Sequence, residues 1–184
     1  MDYIEVEKKF ILPNAEKLRA RLAATGAQPS DPVQQIDAYY NAPHRDFTAA
    51  DTIDEWLRLR TSKRGASLNY KLWHPTGAQL KTHADEYESP VGDPEAIRRT
   101  LIALGFTPLV TVDKTRTIWE LPDVEVALDQ VAGAGDFVEF EYKGQADSIE
   151  KATATLDHLI GELSVELGDL VTRGYPHILL DRPY

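Results

Sequence analysis

The chain is predicted to be an α+β protein built on an antiparallel sheet, and three observations predict it. Most of the sequence alternates apolar and polar residues with period two, the mark of strands with unlike faces, in eight segments: 3–12, 34–41, 54–62, 67–73, 79–89, 110–120, 123–130 and 136–143. Short turn-forming clusters fit hairpin connections between several of them: Lys63-Arg64-Gly65, Pro75-Thr76-Gly77, Leu121-Pro122-Asp123 and Ala132-Gly133-Ala134-Gly135. Three segments carry helical periodicity, which with eight strands fits an antiparallel arrangement.

Taken in order, the first strand sets Glu5, Glu7 and Lys9 on one face and Ile4, Val6 and Phe10 on the other. A helix follows Asn14 as N-cap, with Leu18, Leu22 and Ala23 on one face, and ends near Gly26. Strand 34–41 places Tyr39 and Tyr40 on opposite sides of the wall. Strand 54–62 opposes Arg58 and Arg60 to Leu57 and Leu59, and strand 67–73 opposes Lys71 to Tyr70 and Leu72. In 79–89 the acids fall either at Glu86 and Glu88 or, in a shifted register, at Asp85 with His83. The second helix has Asp93 as N-cap, Pro94 at its first position, a stripe of Ile97, Leu101 and Leu104, and Gly105 as stop. Strand 110–120 groups Lys114 with Arg116, and Trp119 reads as core or outer wall. Strand 123–130 opposes Glu125 and Asp129 to Val124, Val126 and Leu128. Strand 136–143 opposes Glu139 and Glu141 to Val138, Phe140 and Tyr142. The third helix begins near Ser148 and carries Ile149, Leu156, Leu159, Ile160 and Leu163 before Gly168.

The 184 residues suffice for one domain with a sizeable core, and no repeat or linker divides them. Cys is absent, which removes disulfides, thiolate chemistry and Cys-based zinc sites. With no secretion signal and no apolar run of spanning length, a cytoplasmic protein without a membrane partner is expected. A formal net charge of −10 argues against tracking a nucleic-acid backbone.

Each charged strand face alone is explained by solvation. The set is different, because the faces are segregated by sign: acidic pairs near the chain ends, Arg-x-Arg, a Lys and Lys-x-Arg in the middle. If the sheet closes, these faces line a polar interior and the apolar faces lie outward under the helices. Lys9, Arg58, Arg60, Lys71, Lys114 and Arg116 then face a carboxylate patch. At about 4 Å and an effective dielectric near 20, each like-charge contact costs about 4 kcal/mol. A polyanion together with a divalent cation relieves that tension, and triphosphate with Mg²⁺ or Mn²⁺ has that composition.

At these residues the sequence resembles the CYTH proteins, the triphosphate tunnel metalloenzymes. Glu5-x-Glu7-x-Lys9 resembles the opening ExExK motif, Gln35-x-Asp37-x-Tyr39-Tyr40 the second strand, Leu57-Arg58-Leu59-Arg60 the LRxR strand, and Tyr70-Lys71 the central lysine strand. Lys114-x-Arg116 resembles the KxR motif. Leu128-Asp129-x-Val131 with Gly135-Asp136-Phe137-Val138-Glu139-Phe140-Glu141 resembles the late strands, and Gly174-Tyr175 with Leu179-Leu180 the terminal segment. The stretch 41–47 is most similar to the class IV adenylyl cyclase branch. One departure is Ala84, which stands where the family often has Arg ahead of two acids.

The resemblance implies an α+β fold: an eight-stranded antiparallel closed β-barrel, a triphosphate tunnel, with helices packed outside. It implies triphosphate binding by Lys9, Arg58, Arg60, Lys71, Lys114 and Arg116. Guanidinium groups grip phosphate oxygens in pairs, and the lysines act as point charges. It implies a Mg²⁺ or Mn²⁺ ion held among Glu5, Glu7, Asp129, Glu139 and Glu141, with Glu86, Glu88 and Tyr175 as further candidates. Lys9, Glu5 and Glu7 are the catalytic candidates. Lys9 reads better as a charge partner of Glu5 and Glu7 than as a base, since an unshifted Lys is protonated. Family members are often dimers, so a homodimer is implied, although no contact face is marked in the residues.

Three functions fit. The first is a metal-dependent triphosphatase acting on inorganic triphosphate, a nucleoside triphosphate or thiamine triphosphate. The second is a class IV adenylyl cyclase, in which the ribose 3′-hydroxyl attacks the α-phosphorus and pyrophosphate leaves. The third is a non-catalytic triphosphate or polyphosphate binder, disfavoured because such a module gains nothing from extra carboxylates. Hydrolysis is preferred over cyclisation, since no motif marks a base pocket. His74, His83, His158 and His177 lack metal-ligand spacing and read as surface or helix-end residues. Trp56 and Trp73 read as core packing, with base stacking the other role open to them, and Glu16 to Arg21 as a solvated helix face.

Overall fold

The computed structural model describes residues 4–180. Its elements are β1 (Ile4–Glu5), β2 (Glu7–Ile11), α1 (Ala15–Ala24), β3 (Val33–Asn41), β4 (Glu55–Ser62), β5 (Gly65–His74), β6 (His83–Val91), α2 (Pro94–Ala103), β7 (Thr107–Leu121), β8 (Val124–Val131), β9 (Gly135–Tyr142), α3 (Ile149–Leu163) and α4 (Tyr175–Leu179). The strands form one sheet in the order β1-β6-β5-β4-β3-β7-β8-β9-β2, every pair antiparallel.

The two ends of that order, β1 and β2, are consecutive in the chain and separated by Val6 alone. A single expected first strand therefore appears as two, because its start pairs with β6 and its continuation with β9. Residue 3 of the expected strand lies outside the described residues. The backbone N–H of Tyr142 donates to the Val6 carbonyl at 2.9 Å, tying β9 to the break. With β1 and β2 taken as one wall, the sheet is the expected barrel of eight.

The free edge of β2 is covered by residues 168–171. Ile11 N–H donates to the Asp169 carbonyl at 3.1 Å, and the Lys9 carbonyl accepts from Val171 N–H at 2.8 Å. A Cβ on Gly168 would stand 2.8 Å from Ile11 Cβ, so this approach requires glycine. Gly168 is thus a packing residue. α3 itself stops at Leu163, followed by Ser164 in the left-handed region at φ 48°.

The helices start where the sequence reading places them. The side chains of Asn14, Asp93 and Ser148 accept from the backbone N–H of Lys17, Ala96 and Lys151 at 3.1, 3.0 and 3.3 Å. Leu18 and Leu22 of α1 and Ala152, Leu156 and Leu163 of α3 bury against the outer faces of β8 and β9, through Val126, Leu128, Val138 and Phe140. Trp119 is buried in this layer as expected. Leu101 of α2 packs on Tyr40 and Leu59, the outer side of β3 and β4. Tyr39 faces the other way, so the two tyrosines flank the wall.

Three details differ from the sequence reading. Leu104 is 63% exposed, because the helix ends at Ala103 and its side chain leaves the stripe. Strand β6 begins at His83 rather than residue 79. Asp54 holds the preceding loop by accepting from Gly77 N–H at 2.7 Å and pairing with the Lys81 ammonium. The short helix α4 is a further element. Its His177 lies in the last turn, the helix-end position expected, and is buried rather than superficial. Among the described residues no helix is long and apolar enough to cross a membrane.

Candidate functional site

The period-two alternation carries the charged faces inward, as expected for a closed sheet. The interior is a cavity of about 220 Å³ lined by Lys9, Arg58, Arg60, Lys71, Lys114 and Arg116, the six cations singled out from the sequence. Glu5, Glu7, Glu139, Glu141, Glu86, Glu88 and Tyr175 line it too. Ala84 is fully buried opposite Glu5 on the same face of β6 as Glu86 and Glu88. His83 and Asp85 therefore point outward, where His74 contacts Asp85 at 2.9 Å and stacks on His83.

Around the wall, registry sorts the interior into two arcs. On the acidic side Glu125 lies opposite Glu141 and Glu141 opposite Glu7, with Glu5 and Glu86 beyond the break at Val6. On the basic side two carboxylates are built in. Asp37 accepts from Arg60 Nε and Nη2 at 2.7 Å each, and Arg58 stands 3.8 Å away. Burial opposes the charge of Asp37, but the Arg60 hydrogen bonds and the charges of Arg58, Arg60 and Lys114 outweigh it, lowering its pKa to about 2.

Asp129 makes the second anchor. It accepts from Lys114 at 3.0 Å, from Arg116 Nε at 2.7 Å and from the Tyr175 hydroxyl at 2.9 Å, and it does not line the cavity. Its oxygens are thus engaged by cations, apart from the acidic arc. Glu139 is likewise taken up by Arg116 and by Lys9 at 3.0 Å, and its pKa lies well below the ordinary range despite burial. Lys9 pairs with Glu7 at 3.6 Å and Glu139 rather than with Glu5, and its ammonium sits 4.3 Å from the Tyr175 ring centroid. Burial works against its charge, but Glu139 and Glu7 more than offset this and raise its pKa.

The remaining acids converge. One carboxylate oxygen each from Glu5, Glu86 and Glu141 lies within 4.8 Å of the others. Burial, with repulsion from Glu7, Glu141 and Glu86, pushes Glu5 well above its ordinary pKa although Lys71 opposes it. Burial and Glu7 raise Glu141 as well, against the pull of Lys143. Such shifts mark carboxylates crowded without enough positive charge. Asn69, buried on β5, donates to Glu86 at 2.6 Å and orients it. Hard oxygen donors at this spacing could hold a divalent metal ion.

Arg58 is held by longer ion pairs than Arg60 and Arg116. It is largely buried, its ion pairs to Asp37 and Glu88 are both 3.8 Å, and its Nε has no hydrogen-bond partner. Trp56 and Trp73 both line the cavity, Trp56 also packing edge-on against Tyr39 in the core. Asn69 and Lys143 are interior residues that the sequence reading passed over, while Gln35, Asp37 and Glu125 were placed on strand faces or in a motif without a role at the site. Each continues the parity of a strand face already marked by a charged neighbour, and that parity was the available signal.

The CYTH domain family matches residues 3–175. A Methanocaldococcus jannaschii protein, MJ0240, which carries the provisional name of an adenylate cyclase, is 27% identical over 173 residues, 94% of this chain and 96% of its own length. The structure of PH1819 from Pyrococcus horikoshii superposes with a TM-score of 0.79 at 28% identity, covering 97% of this chain and 99% of that one. HpAC1 of Hippeastrum, an adenylyl cyclase by provisional name and described as having a dominant triphosphatase activity, shares the fold. Its TM-score is 0.68 at 16% identity, over 98% and 97% of the two chains. With its barrel, its inward-facing charges and a family match over nearly the whole length, this chain belongs to the CYTH domain family.

Proposed function

We propose that the protein is a divalent-metal-dependent triphosphatase that holds its substrate inside the barrel. The observation that carries this reading is the cavity itself, on which Arg58 and five further cations converge. Six largely buried cations that share one cavity are what a polyanion would satisfy. Arg60 and Arg116, each oriented by a buried aspartate, present the rest of their planar forks to phosphate oxygens, while Lys71 and Lys114 supply point charges.

Mg²⁺ or Mn²⁺ would be held by Glu5, Glu86 and Glu141. When bound there, it would neutralise phosphate charge and make a coordinated water a better nucleophile. Glu7 and Glu139 keep Lys9 protonated, so Lys9 acts as an electrostatic partner of the departing or attacked phosphate rather than as a base. Tyr175, whose hydroxyl is held by Asp129 and whose pKa burial raises well above its ordinary value, stays neutral beneath Lys9 and Lys114. Phosphoryl transfer needs positioning and charge neutralisation above all, and these groups supply both. The substrate is inorganic, nucleoside or thiamine triphosphate.

The second reading, cyclisation of ATP, is favoured by the name of the M. jannaschii relative and by the indole faces of Trp73 and Trp56 on the cavity wall, which a base could stack upon. A product assay separates the two. Purified protein is given ATP or inorganic triphosphate with Mg²⁺ or Mn²⁺, and cAMP, pyrophosphate and orthophosphate are resolved. Orthophosphate without cAMP is expected. cAMP with pyrophosphate would replace hydrolysis by cyclisation, and tight triphosphate binding without any product would leave only a binding module.

A further inference from the structure

The Lys71 ammonium stands inside the acidic arc rather than on the phosphate side of the cavity. It pairs with Glu5, lies 3.6 Å from a Glu7 oxygen and 3.9 Å from a Glu86 oxygen, and sits 4.9 Å from the Trp73 ring centroid. Glu5 and Glu86 are two of the three acids whose oxygens converge with Glu141. Glu5 Oε2 accepts no hydrogen bond of ordinary geometry, so the ammonium is its company there. One tethered monovalent cation therefore occupies the carboxylates that a divalent ion would need.

Lys143, which pairs with Glu141, has a half-exposed side chain and can retreat into water. Lys71 cannot. Its side chain is 14% exposed and enclosed by the barrel, so its alternative position is the cavity itself, toward Arg58. There, a second cation beside Arg58 is unfavourable unless an anion lies between them. Lys71 has the flexible stem for such an exchange, which a guanidinium fixed by a carboxylate fork lacks.

From this geometry we infer that Lys71 is an internal stand-in for the metal, and that a triphosphate recruits the metal by drawing Lys71 off Glu5 and Glu86. Metal and triphosphate are then coupled through one side chain: each tightens the other, because both favour the state in which Lys71 has crossed the cavity. In the free protein Lys71 offsets part of the charge of these acids, and divalent metal is held weakly. The inference rests on the metal reading of Glu5, Glu86 and Glu141.

The test is Mn²⁺ binding without any triphosphate, with free ion counted by electron paramagnetic resonance, for the wild type, K71M and E5Q. K71M is expected to bind Mn²⁺ at least tenfold more tightly than the wild type, and E5Q more weakly. Binding of inorganic triphosphate in EDTA should be weaker in K71M. Unchanged or weaker Mn²⁺ binding in K71M, with E5Q weakened, overturns the exchange and leaves the metal site standing. If neither E5Q nor E141Q weakens Mn²⁺ binding, the metal reading falls and the exchange with it. K71Q, which keeps a polar end in the acidic arc, is measured in parallel and must move in the same direction as K71M should the methionine variant fail to fold.

Discussion

Asp37 on β3 holds the Arg60 guanidinium of β4 through both carboxylate oxygens, at 2.7 Å to Nε and 2.7 Å to Nη2. The two residues are direct neighbours across the ladder, so the fork is fixed by sheet registry as well as by charge. Removing the carboxylate leaves Arg60 beside Arg58 and Lys114 in a largely buried place. D37N is therefore expected to cost about 3 kcal/mol of stability and to weaken triphosphate binding roughly tenfold without touching the ligand. Denaturant melts and metal-free triphosphate titration measure the two effects.

The same aspartate sets an acid limit. Its folded pKa of about 2 lies below the unfolded value near 4, so its stabilisation is complete above about pH 4 and is lost as pH falls toward 2. The gap in unfolding midpoint between wild type and D37N should shrink across that window. A gap that is constant from pH 5 to pH 2 would remove Asp37 as the source of the effect.

Lys114 carries a pH dependence of opposite origin. Burial, then repulsion from Arg116 and Arg60, lowers its pKa to about 8 against the attraction of Asp129 and Glu139. Its unfolded value is near 10.4, so the unfolded chain binds the extra proton between about pH 8 and 10 and stability from this group rises with pH there. Triphosphate favours the ammonium and has the reverse effect on binding. Metal-free affinity should fall roughly tenfold as pH rises from about 7 to 9.5. K114M should bind more weakly at pH 7 and lack this decline, which separates the lysine from the titration of triphosphate itself.

Strand parity was readable because each face repeats a chemistry every second residue: Glu5, Glu7 and Lys9 declare an inward face without reference to the rest of the chain. The helix starts were equally local, since Asn14, Asp93 and Ser148 each act on a backbone group three residues ahead. Partnership across the barrel was not local. Asp129 and Glu139 look like the other strand-face acids, yet registry places Asp129 opposite Arg116 on β7 and Glu139 opposite Lys9 on β2, so both become anchors for cations. Asp37 was visible as part of a motif, but only its position against Arg60 reveals what it does. The path of 164–180 was unreadable for a related reason: it is short, irregular and shaped by β2 and the barrel end it covers.

Glu86 and Glu88 share the inward face of β6 and are distinguished by their partners. Glu86 is held by Asn69 and joins Glu5 and Glu141. Glu88 accepts from Ser67, stands 3.8 Å from Arg58 and has a side chain 43% exposed. E86Q should lower Mn²⁺ affinity about tenfold or more, whereas E88Q should change it less than threefold. Isothermal titration of both variants with Mn²⁺ decides the assignment, and equal losses would move the metal toward the mouth that Glu88 occupies.

Tyr175 joins the two halves of the site from outside the sheet. Its hydroxyl donates to Asp129 at 2.9 Å, and its ring lies 4.3 Å from the Lys9 ammonium and 4.9 Å from that of Lys114. The ring also packs on Phe137 at 5.1 Å between centroids. Y175F keeps the ring and loses one hydrogen bond whose acceptor retains Lys114 and Arg116, a loss of about 1 kcal/mol in stability with little change in triphosphate affinity. Y175A loses the ring as well, opens a cavity beneath both ammonium groups and should cost about 3–5 kcal/mol. Its triphosphate affinity should fall with it, because Lys9 and Lys114 lose the aromatic face that fixes their height in the barrel. If Y175F proves as damaging as Y175A in both melting and binding, the hydroxyl bond to Asp129, rather than the ring, is what holds this end of the tunnel in place.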